Sequence, residues 1–373
     1  MSSLADQFDV LLLDLDGTVY LGHQPIEHVA EVLIEAASRG ARSAFITNNA
    51  SRTPAEVAAQ LVEMDVAATA DDVQTSPQAA AKMLVEKHPA GSKVLVVGAP
   101  ALADEVARVG LVPVRLAADQ PVAVVQGHSP ETGWPILAEA SIALRAGADW
   151  VAANVDTTLP TDRGLLPGNG AMVAALVAAT GLHPRVAGKP ERPLIDAAIA
   201  RFGSKRPLVI GDRLDTDIEA AVNAGVPSLL VFTGVTTARD VLVARAGQRP
   251  DYFGFDLRAV VDPERVASAT DGAGWTAKVE GDQLTLARAG DTGKVTGHQA
   301  GTPAPPGRAD EAETVDGGQV KPARTGAATL DAADTLRALA ALCQASWQHR
   351  ITAVRAADDA AHEALVGLGL DQR

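Results

Sequence analysis

The chain is predicted to be an α/β protein built on a mainly parallel sheet. Through residue 260, short strand-like runs alternate with helical ones, the order that places helices over a parallel sheet. The strand-like runs are apolar residue after residue, as strands covered on both faces require. Aromatic residues make up 3% of a chain that is 47% hydrophobic, so Ala and Val do much of the packing, as in Ala-rich helices around a Val/Leu/Ile sheet.

Strands are expected at DVLLLD (9–14), ARSAFIT (41–47), KVLVVG (93–98), VAVVQ (122–126), PLVIGD (207–212) and SLLVF (228–232). Between them, TPAEVAAQLVEM opens a helix with Thr53 as N-cap, Pro54 at the first helical position and Glu56 closing a capping box. SPQAAAKMLVEK repeats that opening at Ser76 and Pro77. RPLIDAAIARFG sets Leu194, Ile195, Ile199 and Phe202 on one stripe and stops at Gly203. Composition changes near residue 262. TAKVEGDQLTLAR alternates like a hairpin around Gly281-Asp282, LDAADTLRALAALCQASW has helical spacing, and RITAV (350–354) reads as a strand before a last helix. Residues 289–328, rich in Gly, Pro, Thr and charge, read as a flexible segment. A separate α+β module is therefore expected over 265–373.

A length of 373 residues suits two or three domains at about 150 residues each. The net charge of −14, with no Lys/Arg run, argues against nucleic-acid binding. Cys343 is the only cysteine, so an intrachain disulfide is excluded and an oxidising compartment has no support. Asp6, Asp9, Asp14 and Asp16 interrupt any leader-like run, and AMVAALVAAT (171–180) is too short to span a bilayer. The expectation is a soluble cytoplasmic protein with no membrane partner; self-association into a homo-oligomer is compatible with it.

Four polar stations interrupt this apolar framework. The first strand runs into Asp14, Leu15, Asp16, Gly17 and Thr18. On an extended chain, Asp14 and Asp16 face the same side; Gly17 permits a tight turn, which Thr18 can tie through its hydroxyl. An ordinary Asp-Gly turn with solvated carboxylates accounts for this stretch equally when it is taken alone. Thr47, Asn48 and Asn49 end the second strand on the sheet edge where ligands bind in open α/β folds. Lys189, between Gly188 and Pro190, is either a solvated charge or a fixed point charge for a phosphate. Finally, Gly211-Asp212 ends an apolar strand with Asp215 and Asp217 close behind, Asp217 also being suited to cap the following helix. Carboxylates gathered at strand ends fit Mg²⁺, which takes oxygen ligands. A carboxylate nucleophile, a second carboxyl, a metal and a lysine are together the parts of a phosphoryl-transfer site.

These residues also resemble the four ordered motifs of the haloacid dehalogenase (HAD) superfamily: DLDGT, the Thr47 strand end, Lys189 and GDRLDTD. ITNNASR, VLVVGAPALADEVARVG, AANVDTTLPTDRGLLPGNGAMVAAL, GKPERPLI and VFTGVTT look like its NagD-like subgroup, over about residues 8 to 260. The resemblance implies a Rossmann-like core (1–78 and 185–262) with an α/β cap inserted at 79–184. It implies that Asp14 is the nucleophile and that Asp16 protonates the leaving alkoxide and then deprotonates water. Mg²⁺ would be held by the Asp14 side chain, the Asp16 carbonyl and Asp212. Asp217 would stand behind these ligands, and Thr47, Asn48 and Lys189 would grip the phosphoryl oxygens.

In the cap, Asn154 and Asp156 are candidates for substrate contact, with Arg52 at the core's mouth, although Asn-x-Asp is also a common turn. His128 in VVQGHSPETGW stands where the subgroup carries a Gly-x-Asp pattern. The tail looks like that of bacterial glycerol 3-phosphate phosphatases, whose C-terminal part is similar to an acetyltransferase-type (GNAT) fold. The implied substrate is a small phosphorylated metabolite, glycerol 3-phosphate first. The alternatives are phosphatases of nucleoside monophosphates, phosphoglycolate or pyridoxal phosphate. From other classes, the rivals are an acyl-CoA-binding or transferase protein centred on the tail and a silent binding protein. The tail lacks an Arg/Gln-x-x-Gly-x-Gly/Ala loop for CoA, and the complete acid–lysine set argues against a silent protein.

Overall fold

The computed structural model describes residues 2–161, 163–290 and 330–371. Its largest sheet has seven strands in the spatial order Val266–Ser268, Tyr252–Gly254, Ser228–Val231, Pro207–Gly211, Val10–Leu13, Arg42–Thr47 and Val73–Thr75. All neighbours are parallel except the first pair. Val10–Leu13 is central because both its faces are apolar and wholly buried. Burying one such Leu or Ile contributes about 1.5–3 kcal/mol, and the strand's side chains divide between two buried clusters, one on each face. Its register sets Leu13 beside Ile210 on one side and Phe45 on the other. The chain therefore leaves the sheet at Asp14, Asp212 and Asn48 along one carboxyl edge, where the strand order reverses and a crevice opens.

The expected strands all form, one residue shorter at most ends. Thr53 and Glu56 make the expected capping box. At the next helix Thr75, not Ser76, is the N-cap and makes a box with Gln78; Ser76 is the first helical residue and its hydroxyl donates to the Asn48 carbonyl at 2.8 Å.

A second, all-parallel sheet contains Val112–Val114, Lys93–Val97, Ala123–Gln126, Asp149–Ala152 and Arg185–Val186. It thus reaches two residues beyond 184. The Trp275–Glu280 and Gln283–Arg288 hairpin forms as expected, turning at Gly281-Asp282 with Gly281 at φ +67°. The third strand of that sheet is Ala353–Ala356, later than RITAV, because Arg350 ends the Ala332–His349 helix in the left-handed conformation. The strand at 266–268 joins the large sheet, although 265 was the expected start of the tail module. Leu336, Leu339 and Cys343 of the long helix share one buried cluster with Leu230, Val241 and Phe253 of the first unit. The flexible segment expected at 289–328 lies, apart from its first two residues, outside the described residues.

Candidate active site

Four side chains converge at the carboxyl edge of the large sheet. The ammonium of Lys189, 2% exposed, donates to Asp14 Oδ1 and, at 2.6 Å, to Asp217 Oδ1. One oxygen from each of Asp14, Asp212 and Asp217 falls within 4.8 Å of the other two. Three acids around one lysine leave a surplus of negative charge in a site shielded from water. Burial pushes Asp14 up against the pull of Lys189. It pushes Asp212 to about 6, with Asp217 adding to the shift, and Asp217 to about 6, with Asp14 adding. Burial works to lower Lys189, but Asp14 and Asp217 outweigh it and hold the ammonium charged.

Asp212 is the informative member. Its Oδ2 accepts from the Val235 main-chain N–H at 2.7 Å, whereas the buried Oδ1 has no partner among the described residues. A buried, unpartnered carboxylate oxygen facing two further acids suits a hard divalent cation with oxygen ligands. The residues present fit such an ion.

The loop after Val231 clasps this group from the other side. Thr233 donates its hydroxyl to the Gly17 carbonyl at 2.6 Å, and Thr236 N–H donates to the Asp212 carbonyl at 3.2 Å. A Cβ at Gly234 would run into the Asp212 carboxylate. Gly234→Ala is therefore expected to displace Asp212 and to weaken divalent-cation binding roughly 10- to 100-fold, read by calorimetric titration with the metal. Unchanged binding would show that the loop yields.

The structure separates several sequence expectations. The strand ends at Leu13, so alternation along it does not present Asp16; that carboxylate is exposed and accepts from Gly22 N–H at 3.3 Å. Tyr20 stands near both acids. Burial first, then Asp14 and Asp16, push its hydroxyl up to about 12. Thr18 does not tie the turn: its buried hydroxyl has no partner among the described residues, and Thr233 holds the turn instead. Asp217 does not cap the following helix. It lies within a short π-helical turn, Leu214–Ile218, and its carboxylate accepts from Arg213 N–H at 3.2 Å while pairing with Lys189. Asp215 faces outward, held by Arg213 at 2.9 and 3.1 Å.

Thr47 Oγ1 accepts from Asn49 N–H at 3.1 Å. Asn48 is fully engaged: its Oδ1 accepts from Lys189 N–H at 2.8 Å and its Nδ2 donates to the Lys189 carbonyl at 2.9 Å. It also reaches both Asp156 oxygens at 3.3 Å. Asn154 donates to the Asn48 carbonyl at 2.7 Å and accepts from Asp156 N–H at 3.2 Å. Asn154 and Asp156 thus latch the second sheet to the first, and burial raises the Asp156 carboxyl. Arg52 is half-buried against Gln60, and burial lowers the His128 imidazole. VFTGVTT carries part of the resemblance, but nothing in it singles out Thr233, Gly234 or Val235 for the site.

The first part of the chain, residues 11–112, matches the family model of haloacid dehalogenase-like hydrolases, and residues 186–260 match a HAD-hydrolase-like model. The chain is 53% identical over 291 residues to a D-glycerol 3-phosphate phosphatase of Mycobacterium tuberculosis, covering 78% of this chain and 82% of that one. It is 37% identical over 227 residues to a 5′-nucleotidase of Bacillus subtilis, covering 60% and 87%. It also superposes, with a TM-score of 0.82, 44% identity and 99% coverage of both chains, on the crystal structure of a glycerol phosphate phosphatase from Mycobacterium tuberculosis in complex with magnesium. The chain belongs to the haloacid dehalogenase-like hydrolases, as a phosphatase of that family.

Proposed function

We propose that this chain is a magnesium-dependent phosphomonoesterase whose substrate is glycerol 3-phosphate. The observation that carries the reading is the buried set Asp14, Lys189, Asp217 and Asp212 with its unpartnered oxygen. The similarity to an enzyme named for that substrate and to a magnesium-bound structure supports it.

Asp14, its carboxylate paired with the Lys189 ammonium, attacks phosphorus, and the bond to the ester oxygen breaks. The exposed Asp16 carboxyl gives its proton to the departing alkoxide. As a carboxylate, Asp16 then takes a proton from water, whose oxygen bonds to phosphorus and frees Asp14 and phosphate. Lys189 and Thr47 steady the phosphoryl oxygens. Asp14, Asp212 and the Asp16 carbonyl would hold magnesium, which would supply charge neutralisation there. Asp217 orients Lys189. The unit of the large sheet carries this chemistry, and the inserted unit of the second sheet selects the leaving group. A small metabolite substrate and a single cysteine suit the cytoplasm.

The similarity to a 5′-nucleotidase supports a second reading, a nucleoside monophosphate substrate. Trp150 is buried in the cap and unavailable to stack a base, leaving the exposed Trp134. Phosphate release from a panel of esters separates the two: glycerol 3-phosphate is expected to lead, and a nucleotide at its head would replace the first reading. No release from any ester would sink both.

Magnesium binding should be linked to pH. The folded values of about 6 for Asp212 and Asp217 exceed the ordinary 3.8, so between these limits the folded protein keeps protons that the unfolded chain has released. Without metal, stability therefore falls as pH rises from about 4 to about 6. Magnesium must replace those protons, so its stabilisation should be small at pH 5 and larger at pH 7. Melting temperatures at the two pH values, with and without magnesium, test this; equal shifts would contradict it.

A further inference from the structure

The tail's long helix, Ala332–His349, meets the first unit at one polar contact of particular placement. The Trp347 indole N–H donates to the Val241 carbonyl at 2.8 Å. The Ser346 hydroxyl, fully buried, lies 2.6 Å from the Leu242 carbonyl and 2.7 Å from Ile351's, its single proton shared between them. Val241 and Leu242 end the short helix Ala238–Leu242; the Val241 carbonyl also accepts from Ala244 N–H at 3.1 Å, and Ser346 and Trp347 add side-chain donors at this end. Arg249 closes the contact: its guanidinium stacks 4.8 Å from the Trp347 ring and donates to the Trp347 carbonyl at 2.9 Å and to the Ala244 carbonyl at 3.3 Å.

That short helix begins where the Asp212 clasp ends. Thr237 caps it through a box with Asp240, and directly before it stand Thr236, Val235, Gly234 and Thr233, which hold Asp212 and Gly17. Leu214 and Ile218, flanking Asp217 on its π-helical turn, share a buried cluster with Leu336 and Leu339 of the tail helix. Both segments that present the buried acids thus rest on the tail.

We propose that Ser346 and Trp347 are positioning residues for the metal site: by capping the 238–242 helix they set the loop that fixes Asp212. The inference rests on the reading of Asp14 and Asp212 as magnesium ligands. It assigns the tail a part in the phosphatase reaction, with no acyl-CoA chemistry required.

The test compares magnesium binding, by calorimetry on the full chain, in wild type, Trp347→Phe, Ser346→Ala, their double variant and Leu365→Ala. Phe keeps the bulk of Trp347 and removes its donor. Leu365 shares that buried cluster but makes no hydrogen bond to the 238–242 carbonyls, so its truncation reports loss of packing with the cap intact. The double variant is expected to bind magnesium about three- to tenfold more weakly, below the effect of losing a direct partner of a ligand. Ser346→Thr, which keeps a hydroxyl, should recover wild-type binding, and Leu365→Ala should retain it. The Michaelis constant for the ester at saturating magnesium should stay unchanged in all of them. Wild-type affinity in the double variant, or an equal loss in Leu365→Ala, overturns the proposal. If wild type itself binds no magnesium, the metal-site reading fails first and this inference falls with it. Should the double variant not fold, Ser346→Ala alone makes the same comparison.

Discussion

Asp14→Asn is expected to abolish phosphate release, by a factor on the order of 10⁴ or more, while the protein remains folded. The amide is a poor nucleophile, and removing a group that forms the covalent bond costs more than removing one that only assists. Folding should tolerate the change. Asp14 is a carboxyl that burial already pushes towards its neutral form, and Lys189 keeps its 2.6 Å pair with Asp217. Single-turnover phosphate release and a thermal melt, measured on the same sample, check both halves. Residual turnover within about tenfold of wild type would remove Asp14 from the role of nucleophile.

Lys189→Met should instead damage both activity and the fold. It leaves Asp14 and Asp217 together in a buried site with no cation, and breaking a buried pair from one side costs about 3–5 kcal/mol. Lys189 itself is charged throughout the physiological range, so the pH dependence comes from the acids it abandons. Without the lysine their protonated forms are favoured further, so the loss should be large at pH 8 and smaller at pH 5, where they can stay neutral. Urea denaturation at the two pH values measures this; an equal loss at both would mean that Lys189 stabilises by packing alone. Adding Asp217→Asn to the variant should recover part of the stability and none of the turnover.

Much of this site was legible locally. Apolar runs ending in Asp-Gly or Gly-Asp mark strands that stop at a functional edge, and such runs and the capping boxes are properties of a few adjacent residues. The Thr53–Glu56 box and the Gly203 stop needed no knowledge of the rest of the chain. Where expectation and structure part, a second segment decides. Thr75 takes the cap expected at Ser76 because the Ser76 hydroxyl goes to the Asn48 carbonyl 28 residues away. Asp217 gives up the helix cap because Lys189 offers a buried ammonium. Thr18 is relieved of tying its turn by Thr233, which donates to the Gly17 carbonyl 216 residues before it.

By itself, then, the sequence determined the fold class and singled out Asp14, Lys189 and Asp212 at the carboxyl edge of the sheet, because apolar strand runs and turn chemistry act over a few residues. Which acid faces the lysine, which faces solvent and which is left with an open oxygen was decided by the tertiary structure alone. Asp212, Asp215 and Asp217 differ by a few positions in one turn, and only the register of the sheet and the loop packed against it set their three different surroundings.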